Sequence, residues 1–229
     1  MPDHLRCWIY SRLPELFVDV PRPLEPPRSA TGRSHPATRD AVDALCHALA
    51  AANPAELAME QVRLFVNAPP GVAAPPYASW YLDGTLQGPS TAMVTEAYAG
   101  QCLETVVEGG APPDFVATEL EFLHFLCRHQ EAARATDDVP ALAAAHDAET
   151  RFLQAHFLRW VPRFARAIHH AAPGPVYACV ADLLAAFCAE EAVRPARLTP
   201  QGWASADPLS MDRSAHPLRP DRGTGSRRG

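Results

Sequence analysis

Three aromatic rings and three carboxylates stand out by type and spacing. The stretch Pro75-Pro76-Tyr77-Ala78-Ser79-Trp80-Tyr81-Leu82-Asp83-Gly84 carries Tyr77, Trp80, Tyr81 and Asp83. Its prolines restrict the chain ahead of the rings, and Asp83-Gly84 turns it. A connection built this way is either a packed structural loop or a binding surface. Asp114, just ahead of an apolar helical run, reads as a helix cap or as an acidic contact for a basic peptide. Glu119 follows within that run. With Phe115 at zero and about 100° per residue, Leu126 falls near 20°, Leu123 near 80° and Leu120 near 140°, and Glu119 falls near 40°, inside the apolar arc. A bare carboxylate there costs several kcal/mol, so Glu119 needs a donor from another element. Backbone amides or a tyrosine hydroxyl of the aromatic stretch are candidate donors. Glu119 is then a buried tie between helix and loop or a ligand contact.

Other chemistry is missing from the pattern. The ten histidines form no H-E-x-x-H, and no Cys/His cluster has zinc spacing. His124 and His129 diverge on a helix, and His169-His170 are adjacent. The histidines read as scattered and solvated, and no metal site is expected. There is no phosphate-binding glycine loop and no nucleophile elbow. Gly88-Pro89-Ser90-Thr91 offers a helix N-terminus, with Ser90 or Thr91 as its cap. No catalytic residue and no cofactor are expected.

The 229 residues suffice for one domain with a sizeable core, and 48% hydrophobic content excludes wholesale disorder. Plentiful alanine and leucine with few valine-isoleucine runs favour helix over sheet. The formal charge is −6. Residues 209–229 hold five arginines and two aspartates, which leaves −9 on the remainder. Such an acidic body argues against nucleic acid as a partner and suits a basic peptide. The six cysteines, Cys7, Cys46, Cys102, Cys127, Cys179 and Cys188, form no C-x-x-C pair. They read as small buried hydrophobes, and a disulfide framework is not expected. The N-terminus lacks an apolar signal-peptide core. No run approaches the roughly 18 apolar residues of a membrane span. A soluble, cytoplasmic protein without membrane insertion is expected.

Several elements must position these residues. His4 to Val18 can form an amphipathic helix interrupted at Pro14, followed by a proline-rich loop from Asp19 to Asp40. Helices are predicted over Asp40–Ala52, from Pro54 through Val66, and from Ser90 or Thr91 to about Val107. Others follow from Asp114 to about Glu131, over Val139–Trp160 and over Val176–Val193. Pro162 is expected to kink or break the helix that Arg163–Ala171 continues. Three regions are thus expected: 1–40 with an N-terminal helix and loop, a helical domain over 41–194, and a mostly disordered tail over 195–229.

The order Leu64-Phe65-Val66, then PPYASWYLDG, then Gly88-Pro89-Ser90-Thr91 opening a helix resembles the TorD/DmsD/NarJ family. The block Pro112-Pro113-Asp114-Phe115-Val116-Ala117-Thr118-Glu119-Leu120-Glu121-Phe122-Leu123 resembles the same family, whose pattern there is roughly E-x-x-P-D-H-x-x-x-E-L-x-F-L. The likeness covers about Leu57 to Ala189. Phe115 stands where the family usually has histidine, and the first 40 residues match poorly. The resemblance implies an all-α, single-domain helical bundle of the TorD-like type with long proline-rich loops. It implies a cytoplasmic chaperone, a monomer or homodimer, for an apo molybdenum-containing oxidoreductase of the DMSO-reductase type. Such a chaperone recognises the client's leader peptide, often a twin-arginine signal, and assists molybdenum cofactor insertion before export or assembly. Tyr77, Trp80, Tyr81, Asp83, Asp114 and Glu119 would then be the client-binding surface or its immediate support. The alternatives are a non-catalytic helical scaffold without leader recognition and a helical enzyme with a dispersed site.

Overall fold

The computed structural model describes residues 4–27, 35–66, 71–103, 112–172 and 174–194. The expected disordered tail lies outside them. The fold is all-α. Among the described residues the extended pairing is confined to one isolated antiparallel bridge, Tyr77 with Phe115. In chain order the helices are α1 (His4–Arg12), α2 (Glu15–Val18), α3 (Pro36–Ala51), α4 (Pro54–Gln61), α5 (Ala78–Leu82), α6 (Pro89–Ala99), α7 (Val116–Ala135), α8 (Val139–Phe152), α9 (Leu158–Ala171) and α10 (Pro175–Ala192). Val62–Val66 and Leu153–Phe157 are single π-turns that extend α4 and join α8 to α9.

Local signals explain most boundaries. Pro14 separates α1 from α2, as the sequence predicts. Asn53 caps α4 by accepting from the Ala55 amide at 2.9 Å, with Pro54 in the first turn. α3 begins at Pro36 rather than near Asp40, because His35 Nδ1 accepts from the Ala37 amide and caps it. Pro162 does not break its helix. It sits inside α9, and the irregularity lies one turn earlier, in the π-turn Leu153–Phe157.

Helix α10 packs against α9 and α3, α7 packs against α8 and α1, and α5 packs against α9 and α6. The core is aromatic. Phe17, Phe65, Phe164 and Tyr177 meet edge-on or tilted across α2, the first π-turn, α9 and α10, with centroids 5.2–6.1 Å apart. Buried charge pins α1 among its neighbours. Arg6 pairs with Glu149 of α8 at 2.7 Å and with Glu191 of α10 at 3.1 Å, and Gln130 of α7 donates to Glu149 at 2.7 Å. Each member is almost sealed from solvent. Removing one partner of such a node leaves an uncompensated buried charge, at a cost of about 3–5 kcal/mol.

The cysteines depart from expectation in two respects: Cys102 is exposed, and one pair is bonded. Cys46 and Cys188 are free and buried, as small hydrophobes. Cys7 and Cys127, 120 residues apart, are joined as a disulfide between α1 and α7, with Cα atoms 6.0 Å apart. Nothing in their sequence spacing marks them as neighbours; the packing of α1 on α7 brings them together.

Candidate functional site

The aromatic stretch is stitched to the start of α7. Val116 N–H donates to the Pro76 carbonyl at 2.9 Å, and Ala78 N–H donates to the Asp114 carbonyl at 3.0 Å. These bonds form the Tyr77–Phe115 bridge and bring the two rings to 5.6 Å. Asp114 is fully buried. It does not cap α7, whose N-cap is Phe115 with no side-chain bond. Instead its Oδ2 accepts from the Ser79 amide at 2.8 Å, in the first turn of α5. Tyr77 at the α5 N-cap offers no side-chain acceptor, so a carboxylate 35 residues away takes that role.

The same device recurs at α6. Neither Ser90 nor Thr91 caps it; the N-cap is Gly88, which has no side chain. Asp83 Oδ2 accepts from the Ser90 amide at 3.0 Å and from its hydroxyl at 2.6 Å. The approach is so close that a Cβ on Gly88 would lie 2.7 Å from the Asp83 Cβ. Gly84, at φ +74°, makes the turn between Asp83 and α6 in a region open to glycine.

Glu119 is fully buried, and its donors do not come from the aromatic stretch. His156 Nε2 shares a 2.7 Å hydrogen bond with Oε1, and Trp160 Nε1 donates to Oε2 at 3.0 Å. His156 lies in the second π-turn and is itself buried, unlike the solvated histidines expected. Burial pushes the Glu119 carboxyl above its ordinary value, while His156 and the Trp160 N–H pull it back. Trp160 carries the link onward. Its ring, also buried, stacks on Tyr81 with centroids 5.8 Å apart and planes at 26°. Arg163 donates to the Tyr81 carbonyl at 2.8 Å.

The sequence-predicted residues therefore fall into two groups. Tyr77, Tyr81, Asp114 and Glu119 belong to one interlocked body in which α7, α9 and the aromatic stretch hold one another. Trp160 fills the space between Tyr81 and Glu119, so those two are joined by packing and are not separated by an open groove. Trp80 points out of this body, 47% exposed, with Asp83 half-buried at the turn that follows. Leu86 and Met93 are likewise exposed on the α5–α6 segment. The residues that sequence reasoning missed are Ser79, His156, Trp160 and Arg163. The demand of Glu119 for a partner was a signal for His156 and Trp160 alone; Ser79 and Arg163, which bond Asp114 and the Tyr81 carbonyl, carried none. The Glu119–His156 pair is an acid and a base buried beside the rings of Phe152 and Trp160, an arrangement that ties α7 to the π-turn ahead of α9.

The nitrate reductase delta subunit family matches residues 33–166. The chaperone protein TorD of Vibrio cholerae is 28% identical over 137 residues, 59% of this chain and 60% of that protein. TorD of Vibrio atlanticus is 31% identical over 116 residues, covering 49% and 52%, and TorD of Psychrobacter sp. is 30% identical over 122 residues, covering 52% and 53%. The chain thus spans about three-fifths of the length of the Vibrio cholerae relative, and less of the others. A crystal structure described as a redox enzyme maturation protein from Archaeoglobus fulgidus aligns with a TM-score of 0.49 and 21% identity, over 82% of this chain and 93% of that one. The match to residues 33–166 spans both motif blocks, and this chain belongs to the nitrate reductase delta subunit family, the TorD/DmsD/NarJ group of redox-enzyme maturation chaperones.

Proposed function

We propose that this protein is a cytoplasmic chaperone that binds an apo molybdoenzyme of the DMSO-reductase type, through its leader peptide or its catalytic subunit. It assists molybdenum cofactor insertion before export or assembly. The observation that carries the reading is Trp80, a large ring left 47% exposed on a short helix in which Ala78 and Ser79 are buried and Tyr81 and Leu82 half-buried. An indole held out on a rigid mount is a good contact for the apolar part of a peptide, because little ordering entropy is lost on binding. Tyr77, Tyr81 and Asp83 flank it. Asp114 and Glu119 act from behind, by fixing the loop and α7 in one geometry. The acidic body favours approach of a basic leader, through the long-range field rather than a buried ion pair.

Calorimetry with a synthetic twin-arginine leader of a DMSO-reductase-type enzyme tests the reading. Saturable binding that weakens when the arginine pair is changed to glutamines supports charge-assisted leader recognition. Equal binding of both peptides removes charge recognition. No binding, combined with failure to retain the apo catalytic subunit, removes the reading and leaves a scaffold.

A further inference from the structure

Two His-x-x-Cys pairs face each other at the contact of α1 with α7. His4 and Cys7 lie three apart on α1, and His124 and Cys127 lie three apart on α7, with Glu131 a further turn along the same face. One sulfur of Cys7, one of Cys127 and a carboxylate oxygen of Glu131 all lie within 4.8 Å of one another. His4, Cys7, His124, Arg128 and Glu131 line a single pocket above them. Both cysteines are buried, His124 and Glu131 are half-buried, and His4 is exposed at the start of α1. Two sulfurs and a carboxylate converging from two helices, with imidazoles lining the pocket above them, are a donor set for a thiophilic divalent cation.

We propose that Cys7, Cys127, Glu131 and His124 form a tetrahedral zinc(II) site that staples α1 to α7 when the Cys7–Cys127 bond is reduced. The two sulfurs are joined in this structure. Zn–S bonds of about 2.3 Å in tetrahedral geometry place two sulfurs about 3.8 Å apart. Rotation of the cysteine side chains gives that spacing from Cα atoms 6.0 Å apart. Reduction by a dithiol transfers two electrons and two protons to the pair, and the dithiol closes to its own disulfide. On metal binding the two thiols release two protons to solvent as their sulfurs bond zinc. Two thiolates and a carboxylate leave one negative charge on the bound ion. Arg128, whose Nη1 is 2.7 Å from Glu131 Oε2, balances it. His124 is assigned as the nitrogen ligand because it shares the face of Cys127 and Glu131.

The test uses the full chain, reduced with a dithiol under argon and then desalted, with zinc as the probe. The expected result is one zinc per chain that survives a second desalting, is absent from the oxidised chain, and raises the melting temperature of the reduced chain. Cobalt(II) in place of zinc should give thiolate-to-cobalt charge-transfer bands with the d–d intensity of a tetrahedral site. Cys127→Ser should lower zinc affinity at least about a hundredfold and His124→Ala about ten- to a hundredfold. Cys102→Ser, at an exposed lone cysteine, should change nothing. The reduced and oxidised wild-type chains carry the comparison even where a serine variant folds poorly. Zinc that washes off the reduced chain, or equal retention by oxidised and reduced chains, overturns the assignment. So does a cobalt spectrum without thiolate bands.

Discussion

Trp160 donates its indole N–H to Glu119 at 3.0 Å while the face of its ring stacks on Tyr81 at 5.8 Å. One side chain of α9 therefore ties the acid of α7 to the aromatic loop. The loop that holds Trp80 out is set by this link and by the backbone bridge at Tyr77.

Replacing Glu119 by alanine leaves the His156 and Trp160 donors unpaired in the interior. Removal of a buried, doubly bonded acceptor costs about 3 kcal/mol, or about 6–12 °C in melting temperature for a chain of this size. Glu119→Gln retains one acceptor oxygen and should lose about half as much. Thermal unfolding followed by far-UV circular dichroism checks both. Unchanged melting in the alanine variant would mean that the tie is not formed.

Gly88 and Asp83 form the second fixed point. Gly88→Ala places a methyl group against the Asp83 carboxylate that caps α6, and Asp83→Ala removes the cap itself. Each should cost about 1–2 kcal/mol. Urea denaturation measures the loss, and amide exchange at Ser90 should quicken in both variants. A Gly88→Ala chain with wild-type stability would contradict the close approach.

How much of this was legible in the sequence depends on range. The wheel position of Glu119 announced a buried acid, because helical periodicity is local. Its donors stand 37 and 41 residues away, and no local rule reaches them. Asp114 shows the same limit. Capping preferences place such an aspartate on its own helix, yet its oxygen serves the Ser79 amide across the bridge. The start of a helix at Pro54 is legible because Asn53, which caps it, and the Ala55 amide it serves lie within three residues. Cys7 and Cys127 carried no signal of their own, since their meeting follows from how α1 lies on α7.

Glu191 makes the stability depend on pH in a stated direction. Burial raises its carboxyl to about 7 in the folded chain, although Arg6 and Arg194 pull the other way. The folded chain therefore keeps a proton that the unfolded chain loses near the ordinary 4.5. The stability this provides is complete below about 4.5 and is lost as pH rises through about 7. Denaturation midpoints of the wild type should fall between these values relative to Glu191→Gln, which cannot titrate. Parallel pH profiles for the two chains would exclude a proton on Glu191.

The most direct measurement is calorimetric titration of a twin-arginine leader peptide into the wild-type chain and into Trp80→Ala, with melting temperatures taken on the same samples. The proposed client surface predicts at least about a tenfold loss of affinity in Trp80→Ala, with melting lowered less than in Glu119→Ala because the ring is 47% exposed. Wild-type affinity in that variant would contradict it, and would place the client elsewhere on the molecule.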